Sequence, residues 1–592
     1  MSTVYNIHQV FARFFKDEHL EPYLFELSRM LEEGHICLDP QSADLDGLKE
    51  AGYDDLPGVE AIASSPLVSD GRAHTPFILL GDRLYMQRYY YYESLILDRI
   101  RGFIDAEGGK LQQRLTDLLR LQPDIAALFP GSELTNGKVE WQWMAAITTV
   151  LHDFSIITGG PGTGKTTTVA KVLSLLLQLN HKLRIALCAP TGKAAARMAE
   201  SLRAAGKNSA PFIREAFEGL QPATIHRLLG TIHSSPEFKH NRLQPLDVDV
   251  VIVDEASMID VALMAKLMDA VGEETKLILL GDKDQLASVE AGSLFGDLCK
   301  ALPTLNGFSE RFLQEIAPLL PAGSVLHEAS DGTDSPHLLF EHIVELQFSH
   351  RFSDGKGIGK FSKAILNNQP ELIQEFFGNQ DDQVKIDTKY DTAVFDHFVR
   401  GYKEFIEQPD ILSALQKLNN LRVLCAVREG AFGVDQVNAR IERLLRQKAG
   451  LKPFEPFYQN RPIMVTSNNS QLNLFNGDIG IIREDEQGVM RAWFEAADGS
   501  LKSVLPGFVG KVETAFAMTI HKSQGSEFKD VLIMLPQNEQ ATKMMTRELL
   551  YTAVTRARSQ VIIQGSEAAI LTAAAVGIHR GSGVIGRLRA NP

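Results

Sequence analysis

One stretch constrains the fold of this chain more than any other: Gly159-Gly160-Pro161-Gly162-Thr163-Gly164-Lys165-Thr166. It lies between an apolar run (Phe154, Ile156, Ile157) and a helix-spaced apolar series from Val169 to Leu177. Strand, glycine loop, helix is the setting in which G-x-x-x-x-G-K-[ST] marks a nucleotide phosphate site. The glycines let backbone N–H groups turn inward around an anion. Lys165 places a compact positive charge on the β- and γ-phosphates, the Thr166 hydroxyl can ligate Mg²⁺, and Thr167 continues the phosphate-facing turn. The chain is therefore built around an ATP or GTP engine.

From about 138 the pattern alternates strands with helices. Ile185–Ala189, Val250–Val253 and Leu277–Leu280 are short apolar runs, as expected of parallel strands covered on both faces. This predicts a doubly wound α/β domain over 138–340, with ligands at the carboxyl ends of its strands. The stretch 302–340, with Pro303, Pro318, Pro321, Gly323 and a Ser/Asp/Gly run at 330–335, reads as an inter-domain segment. A second α/β pattern starts near Val344, resumes at Val423 and ends near Ile563, so 341–592 is read as a second domain. Short β-like runs over 455–512 interrupt it in the manner of a small inserted barrel. Ahead of both, 1–110 reads as a small mixed α/β domain with a hairpin across Gly81-Asp82, and 111–137 as a helical connector ending near Pro130-Gly131.

Further polar residues fall at predicted strand ends. Asp254-Glu255 closes the run Val250–Val253: Asp254 can hold Mg²⁺ and Glu255 can polarise an attacking water. Gln285 follows Leu277–Leu280, where a carboxamide can sense a γ-phosphate. Gln142 lies on an amphipathic helix before the glycine loop and has the donor and acceptor to pair with an adenine edge. Arg351 and Arg556, both placed in the second domain, can bring guanidinium charge over the phosphates from the facing side of a cleft. Loops at Thr191 and Lys193, Thr224 and His226, and Thr519, His521 and Lys522 combine hydroxyl, cationic and loop-forming residues that can hold a sugar-phosphate backbone without reading bases. They come from both domains, so one strand could lie across the two.

The net charge of −14 at first argues against a polynucleotide partner. It is unevenly spread, since residues 1–70 carry fourteen carboxylates against Arg13, Lys16, Arg29 and Lys49. That first segment repels a phosphate polymer and leaves a protein partner as the alternative to a merely solvated surface. The four scattered cysteines, without CxxC or companion histidines, point to reduced buried thiols. With no apolar run long enough for a bilayer and no signal-peptide core, the chain is expected in the cytoplasm, off the membrane.

Read as an ordered set, these motifs resemble those of superfamily 1 helicases. The glycine loop is followed by Ala189-Pro190-Thr191-Gly192-Lys193, Thr224-Ile225-His226-Arg227, Val253-Asp254-Glu255, Gly281-Asp282-Lys283-Asp284-Gln285, Ser349-His350-Arg351-Phe352, Thr519-Ile520-His521-Lys522-Ser523-Gln524-Gly525 and Tyr551-Thr552-Ala553-Val554-Thr555-Arg556. The wording is most similar to the RecD family, and the front end (Glu33-Gly34-His35-Ile36-Cys37-Leu38, Arg88-Tyr89-Tyr90) resembles that family's amino-terminal domain. The resemblance implies two RecA-like domains with an SH3-like insertion, and ATP with Mg²⁺ as cofactors. It further implies 5′→3′ DNA translocation along a single strand and a place beside RecB-like and RecC-like subunits in an exonuclease V complex acting in recombination and break repair. In such a complex cleavage lies with the RecB-like partner. It also places Glu527 near a nucleotide ribose and makes 229–247 a hairpin at the duplex fork. A stand-alone RecD-like helicase and a non-motor scaffold switched by ATP are the alternatives.

Overall fold

The computed structural model describes residues 6–54, 56–129, 141–320, 335–352, 355–378, 381–449, 456–469, 471–496, 499–538, 542 and 545–589. The amino-terminal domain is built on Cys37–Leu38 (β1), Val68–Ser69 (β2), Phe77–Leu80 (β3) and Arg83–Met86 (β4), in the order β1-β4-β3-β2. The β3–β4 hairpin turns at Gly81, whose φ of 59° suits glycine, as the Gly81-Asp82 pair leads one to expect. Leu24 and Leu27 from helix Glu21–Glu32 pack on Leu38, Phe77 and Leu84.

The first lobe holds Phe154–Gly159 (β5), Ile185–Ala189 (β6), Pro222–Thr224 (β7), Val250–Val253 (β8), Lys276–Gly281 (β9) and Ile343–Leu346 (β10). All pairs are parallel, in the order β10-β5-β9-β8-β6-β7. β5, β8 and β9 are buried along their whole length, which is why they read as unbroken apolar runs. Two boundary expectations need correcting. The Val344 strand does not open the second domain: it pairs with β5 and completes the first sheet. The stretch 302–340 is not a linker where it is described, because Phe308, Phe312 and Ile316 sit in the first-lobe core at helical spacing. A run marked by proline and glycine can still carry a buried face. The Ser/Asp/Gly run at 330–335, save Ser335, and the Pro130-Gly131 end of the connector lie outside the described residues.

The second lobe adds Val384–Asp387 (β11) and Leu421–Cys425 (β12). An insertion follows: Pro462–Val465 (β13), Ile479–Glu484 (β14), Met490–Glu495 (β15), Leu501–Val504 (β16) and Val512–Thr514 (β17). Then come Ala517–Thr519 (β18), Phe528–Met534 (β19) and Ala557–Gln564 (β20). The lobe's sheet is parallel, β11-β20-β19-β12-β18. The insertion is an antiparallel meander whose last strand returns to its first, β16-β15-β14-β13-β17, with a 3-10 turn at Pro506–Phe508 before that return. This is SH3-like order. The fold is thus α/β with two RecA-like lobes. The carboxyl-terminal residues expected in the second domain depart from it, and helix Val584–Arg589 packs its Val584 and Leu588 into the first-lobe core. No described helix is long and apolar enough to cross a membrane.

Helix Gln87–Glu107 ties the amino-terminal domain to the first lobe by burying Ile96, Leu97, Ile100 and Phe103 there. Its last residue, Glu107, accepts from Phe154 N at 3.1 Å, from Asp153 N and from His152 Nδ1 at 2.8 Å. Removing this carboxylate orphans two buried backbone donors at the foot of β5. Glu107→Ala is expected to lower stability by about 3 kcal/mol. The measurement is urea unfolding, with a reduced midpoint at unchanged slope.

Candidate active site

β5 ends at Gly159, and the glycine loop that follows is shaped by its neighbours. Gly162 and Gly164 have φ of 79° and 88°, which disfavour side chains. A methyl group on Gly162 would collide with Arg351, and one on Gly164 with the Gln142 carboxamide. Gln142 Nε2 donates to Thr163 O at 3.1 Å and lies 3.2 Å from His350 Nε2. Lys165 Nζ donates to Gly159 O at 2.5 Å and Gly160 O at 3.2 Å, so the ammonium lies within the loop. A cavity of about 510 Å³ opens here. Gln142, residues 161–167, Asp254, Glu255, Gln285, Arg351, Glu527 and Arg556 all line it. Of the residues expected around a nucleotide, only Gly159 and Gly160 lie behind the lining, as acceptors for Lys165.

The carboxylates at the strand ends are electrostatically loaded. Burial and the neighbouring Glu255 push the Asp254 carboxyl up to about 7. A cation shared with the Thr166 hydroxyl relieves that load, so this donor set fits Mg²⁺. Glu255 has φ of 52°, a left-handed conformation costly for a glutamate and typical of functional sites. Burial and Asp284 push Asp282, at the end of β9, up to about 6; it accepts from Gln285 Nε2 at 3.0 Å and Tyr551 OH at 3.1 Å.

The two arginines reach the cavity by different routes. Arg556 follows helix Arg547–Val554 of the second lobe and is 4% exposed. Its Nη2 donates to Gln285 Oε1 at 2.6 Å, and Nη1 to Ser526 O at 3.1 Å. Arg351 instead follows β10, on the exit from the first sheet, which corrects its expected place in the second domain. Ser349 and His350 fasten that exit to the glycine loop: Ser349 Oγ donates to Pro161 O at 3.1 Å and His350 N to Gly162 O at 2.9 Å. Arg351 Nη2 and Arg197 Nη2 both pair with Glu527 Oε1, at 2.7 and 2.6 Å. Burial works to raise the Glu527 carboxyl, but Arg197 and Arg351 outweigh it and hold the group down at about 2. Arg351 Nη1 is buried without a hydrogen-bond partner among the described residues. An orphaned guanidinium donor at a glycine loop fits a phosphate oxygen.

The loops expected to grip a polynucleotide lie at carboxyl ends of both sheets. Thr191 caps helix Gly192–Gly206, accepting from Ala194 N at 3.3 Å, and Thr224 caps helix Ile225–Leu229, accepting from Arg227 N at 3.2 Å. Each hydroxyl keeps its proton to donate outward. Lys193 Nζ donates to Ser526 Oγ across the lobe boundary at 3.0 Å, and burial with nearby Arg422 pushes it down to about 8. Thr519 accepts from Lys522 N at 3.3 Å. His226 and His521 are exposed. Lys522 pairs with Glu513 at 2.8 Å, so its ammonium is shared with a carboxylate of the insertion. The segment 229–247 forms two small turns rather than one hairpin, with bridges Thr231–Phe238 and Asn241–Gln244.

The residues 142–291 match a family model described as an AAA domain, and 514–564 one described as a UvrD-like helicase C-terminal domain. The RecBCD enzyme subunit RecD of Mycobacterium tuberculosis is 35% identical over 581 residues, 95% of this chain and 90% of that protein. The chain belongs to the RecD family. As a RecD-family protein it is an ATP-dependent helicase by class. The Haemophilus influenzae RecD subunit is also 35% identical, over 76% of this chain and 72% of its own length. The ATP-dependent RecD2 DNA helicase of Deinococcus radiodurans is 29% identical over 72% of this chain but 48% of its own length. Among solved structures, Pif1 helicase from Bacteroides in complex with ADP-AlF3 and ssDNA covers 72% of this chain and 92% of its own at 18% identity and a TM-score of 0.36, a distant likeness.

Four residues at this site carried no role in the sequence: Arg197, and Asp282, His350 and Tyr551, which stand inside the motifs named above. Arg197 stands four residues after Lys193 on one helix, a spacing that puts both on one face. His350 adjoins Arg351, and Tyr551 lies one turn before Thr555 on the approach to Arg556. Those local signals were readable. That Arg197 meets Glu527 and Tyr551 meets Asp282 was not, because each partner lies in the other lobe.

Proposed function

We propose that this chain is an ATP-dependent 5′→3′ DNA helicase, the motor subunit of a RecBCD-type helicase–nuclease. Its partners are RecB-like and RecC-like subunits, and it acts on single-stranded DNA drawn from a duplex end during break repair and homologous recombination. The observation that carries the reading is the 2.6 Å bond from Arg556 to Gln285, which joins the two lobes across the cavity containing Lys165. Two lobes that share one phosphate site convert hydrolysis into relative movement.

In this mechanism Lys165 and the loop N–H groups hold the β- and γ-phosphates. Thr166 and Asp254 would hold Mg²⁺, which neutralises charge on the phosphate oxygens. Glu255 takes the proton of the attacking water. Gln285 registers the γ-phosphate. Arg556 exchanges its bond to Gln285 for one to the nucleotide and so closes the cleft from the second lobe, while Arg351 gives up Glu527 for a phosphate oxygen on its own side; both stabilise the transition state. Loss of phosphate restores the protein–protein bonds. The loops around Thr191 and Lys193, Thr224 and His226, and Thr519, His521 and Lys522 grip the strand alternately as the lobes move. Direction follows from the family resemblance.

The complex-bound form is favoured because the likeness to the M. tuberculosis RecD subunit, 35% identity over 95% of this chain, exceeds that to the D. radiodurans RecD2 helicase, 29% over 72%. The acidic first segment also suits a protein-facing surface. The test is ATPase activity with and without single-stranded DNA, then unwinding of 5′-tailed and 3′-tailed duplexes by the chain alone and with its co-purifying subunits. Strong stimulation and 5′-tail preference in the complex are expected. Equal rates with and without DNA would favour the ATP-switched scaffold, and efficient unwinding by the isolated chain would favour the stand-alone helicase.

A further inference from the structure

The carboxyl-terminal strap, 577–589, takes no part in the chemistry above, yet it joins the amino-terminal domain to the loop that follows Gln285. After helix Glu567–Ala575 the chain leaves the second lobe and crosses to the amino-terminal domain. Ile36 N donates to Gly581 O at 2.9 Å, and Gly581 N to His35 Nδ1 at 2.8 Å. Gly583 N donates to Glu93 Oε2 at 3.1 Å, and Arg587 pairs with Glu93 Oε1 at 3.1 Å. At its two glycines, Gly581 and Gly583, the crossing leaves no room for a side chain. A methyl group on Gly583 would collide with the Tyr85 hydroxyl, and one on Gly581 would come 2.8 Å from Cys37 O.

Arg580 stands at this crossing. Its half-buried Nη1 donates to Glu290 O at 2.9 Å and to Gly292 O at 3.0 Å. Ser288 Oγ donates to the same two carbonyls, at 2.9 and 3.0 Å. Gly292 N donates to Gly34 O at 2.9 Å. Gly34 has φ of 92°, and a methyl group there would come 2.8 Å from the Arg580 guanidinium. A guanidinium taken partly out of water and spent on two carbonyls of one loop serves geometry more than charge.

That loop begins where the γ-phosphate sensor ends. Leu286 N donates to Thr552 Oγ1 at 3.0 Å, Gln524 Nε2 to Leu286 O at 2.8 Å, and Gln285 is held by Arg556. The second lobe therefore grips the segment 285–292 at its start. Arg580 and Gly34 grip it at its end.

We propose that Arg580 is a positioning residue for ATP hydrolysis: it fixes the 288–292 loop against Gly34 and thereby sets Gln285 in the cleft, linking turnover to the seat of the amino-terminal domain. The inference rests on the ATPase reading of the cavity. Arg580 touches no reacting atom and acts through the loop.

The experiment is steady-state, DNA-stimulated ATPase of the full chain, with thermal unfolding run in parallel. Arg580→Ala is expected to lower kcat on the order of ten- to a hundredfold through misplacement of Gln285. The KM for ATP stays near the wild-type value, because the glycine loop and Gln142 are untouched. Gly34→Ala disturbs the same contact from the other side and gives the same kcat loss, and the double variant is no worse than the poorer single. Arg580→Lys recovers part of the rate. Arg589→Ala loosens the same strap at Ala301 O, 3.4 Å away, and leaves kcat unchanged. A wild-type kcat in a folded Arg580→Ala chain overturns the proposal. So does an Arg589→Ala loss equal to that of Arg580→Ala, which reduces the strap to a clamp. A wild-type chain without ATPase activity removes the functional reading itself.

Discussion

Arg556→Gln is expected to lower the DNA-stimulated kcat for ATP by about a thousandfold, which corresponds to roughly 4 kcal/mol of transition-state stabilisation. Arg556 is the second-lobe residue bonded to the sensor of the first, and its guanidinium is desolvated within the cleft. Burial lowers its pKa from the ordinary arginine range, while Glu255 is the largest opposing influence. An arginine kept charged under that load is primed to meet new negative charge. Glutamine can keep a hydrogen bond to Gln285 but supplies no charge, so the lobes still approach while the transition state loses its counter-ion. Arg556→Lys rescues little, because the present side chain spends separate donors on Gln285, Ser526 and Thr552. The measurement is single-turnover hydrolysis with ATP affinity titrated separately. A rate within threefold of wild type would place the essential charge elsewhere.

Lys165→Gln is expected to reduce hydrolysis by on the order of a hundred- to a thousandfold, to the edge of detection. The ammonium lies within the glycine loop, bonded to Gly159 O and Gly160 O, so it needs no rearrangement to reach a phosphate there. The loop itself is shaped by glycine conformations and by Gln142, Ser349 and His350, none of which depends on the Lys165 charge. Thermal unfolding of the variant is therefore expected to match wild type, and single-stranded DNA binding to persist without turnover. Continued hydrolysis in a folded Lys165→Gln chain would remove the cavity from its assigned role.

Much of the site was legible because its chemistry is local. Asp254-Glu255 ends a strand that announces itself as four consecutive apolar residues, and Gln285 follows another. Each such unit is complete within some twenty residues, since a parallel strand delivers its polar tip to the carboxyl edge whichever sheet it joins. Arg351 shows the limit. Arg351 lines the cavity beside the glycine loop, but its expected domain was wrong, because Val344 reads the same beside β5 as it would in the other sheet. Lys522 shows another limit. A lysine in a polar loop looks free until Glu513, on β17 of the insertion, is folded against it.

The sequence by itself determined that a phosphate-binding loop, acidic strand ends and two arginines occur in helicase order, because short-range sterics and hydrogen bonding decide each of those units. Only the tertiary structure decided that Arg197 and Arg351 share Glu527, that Arg556 meets Gln285, that β10 closes the first sheet and that the tail returns to Gly34 and Glu93. Those pairings join residues up to several hundred positions apart. They are selected by burial and by the matching of desolvated donors to acceptors, which no local periodicity encodes.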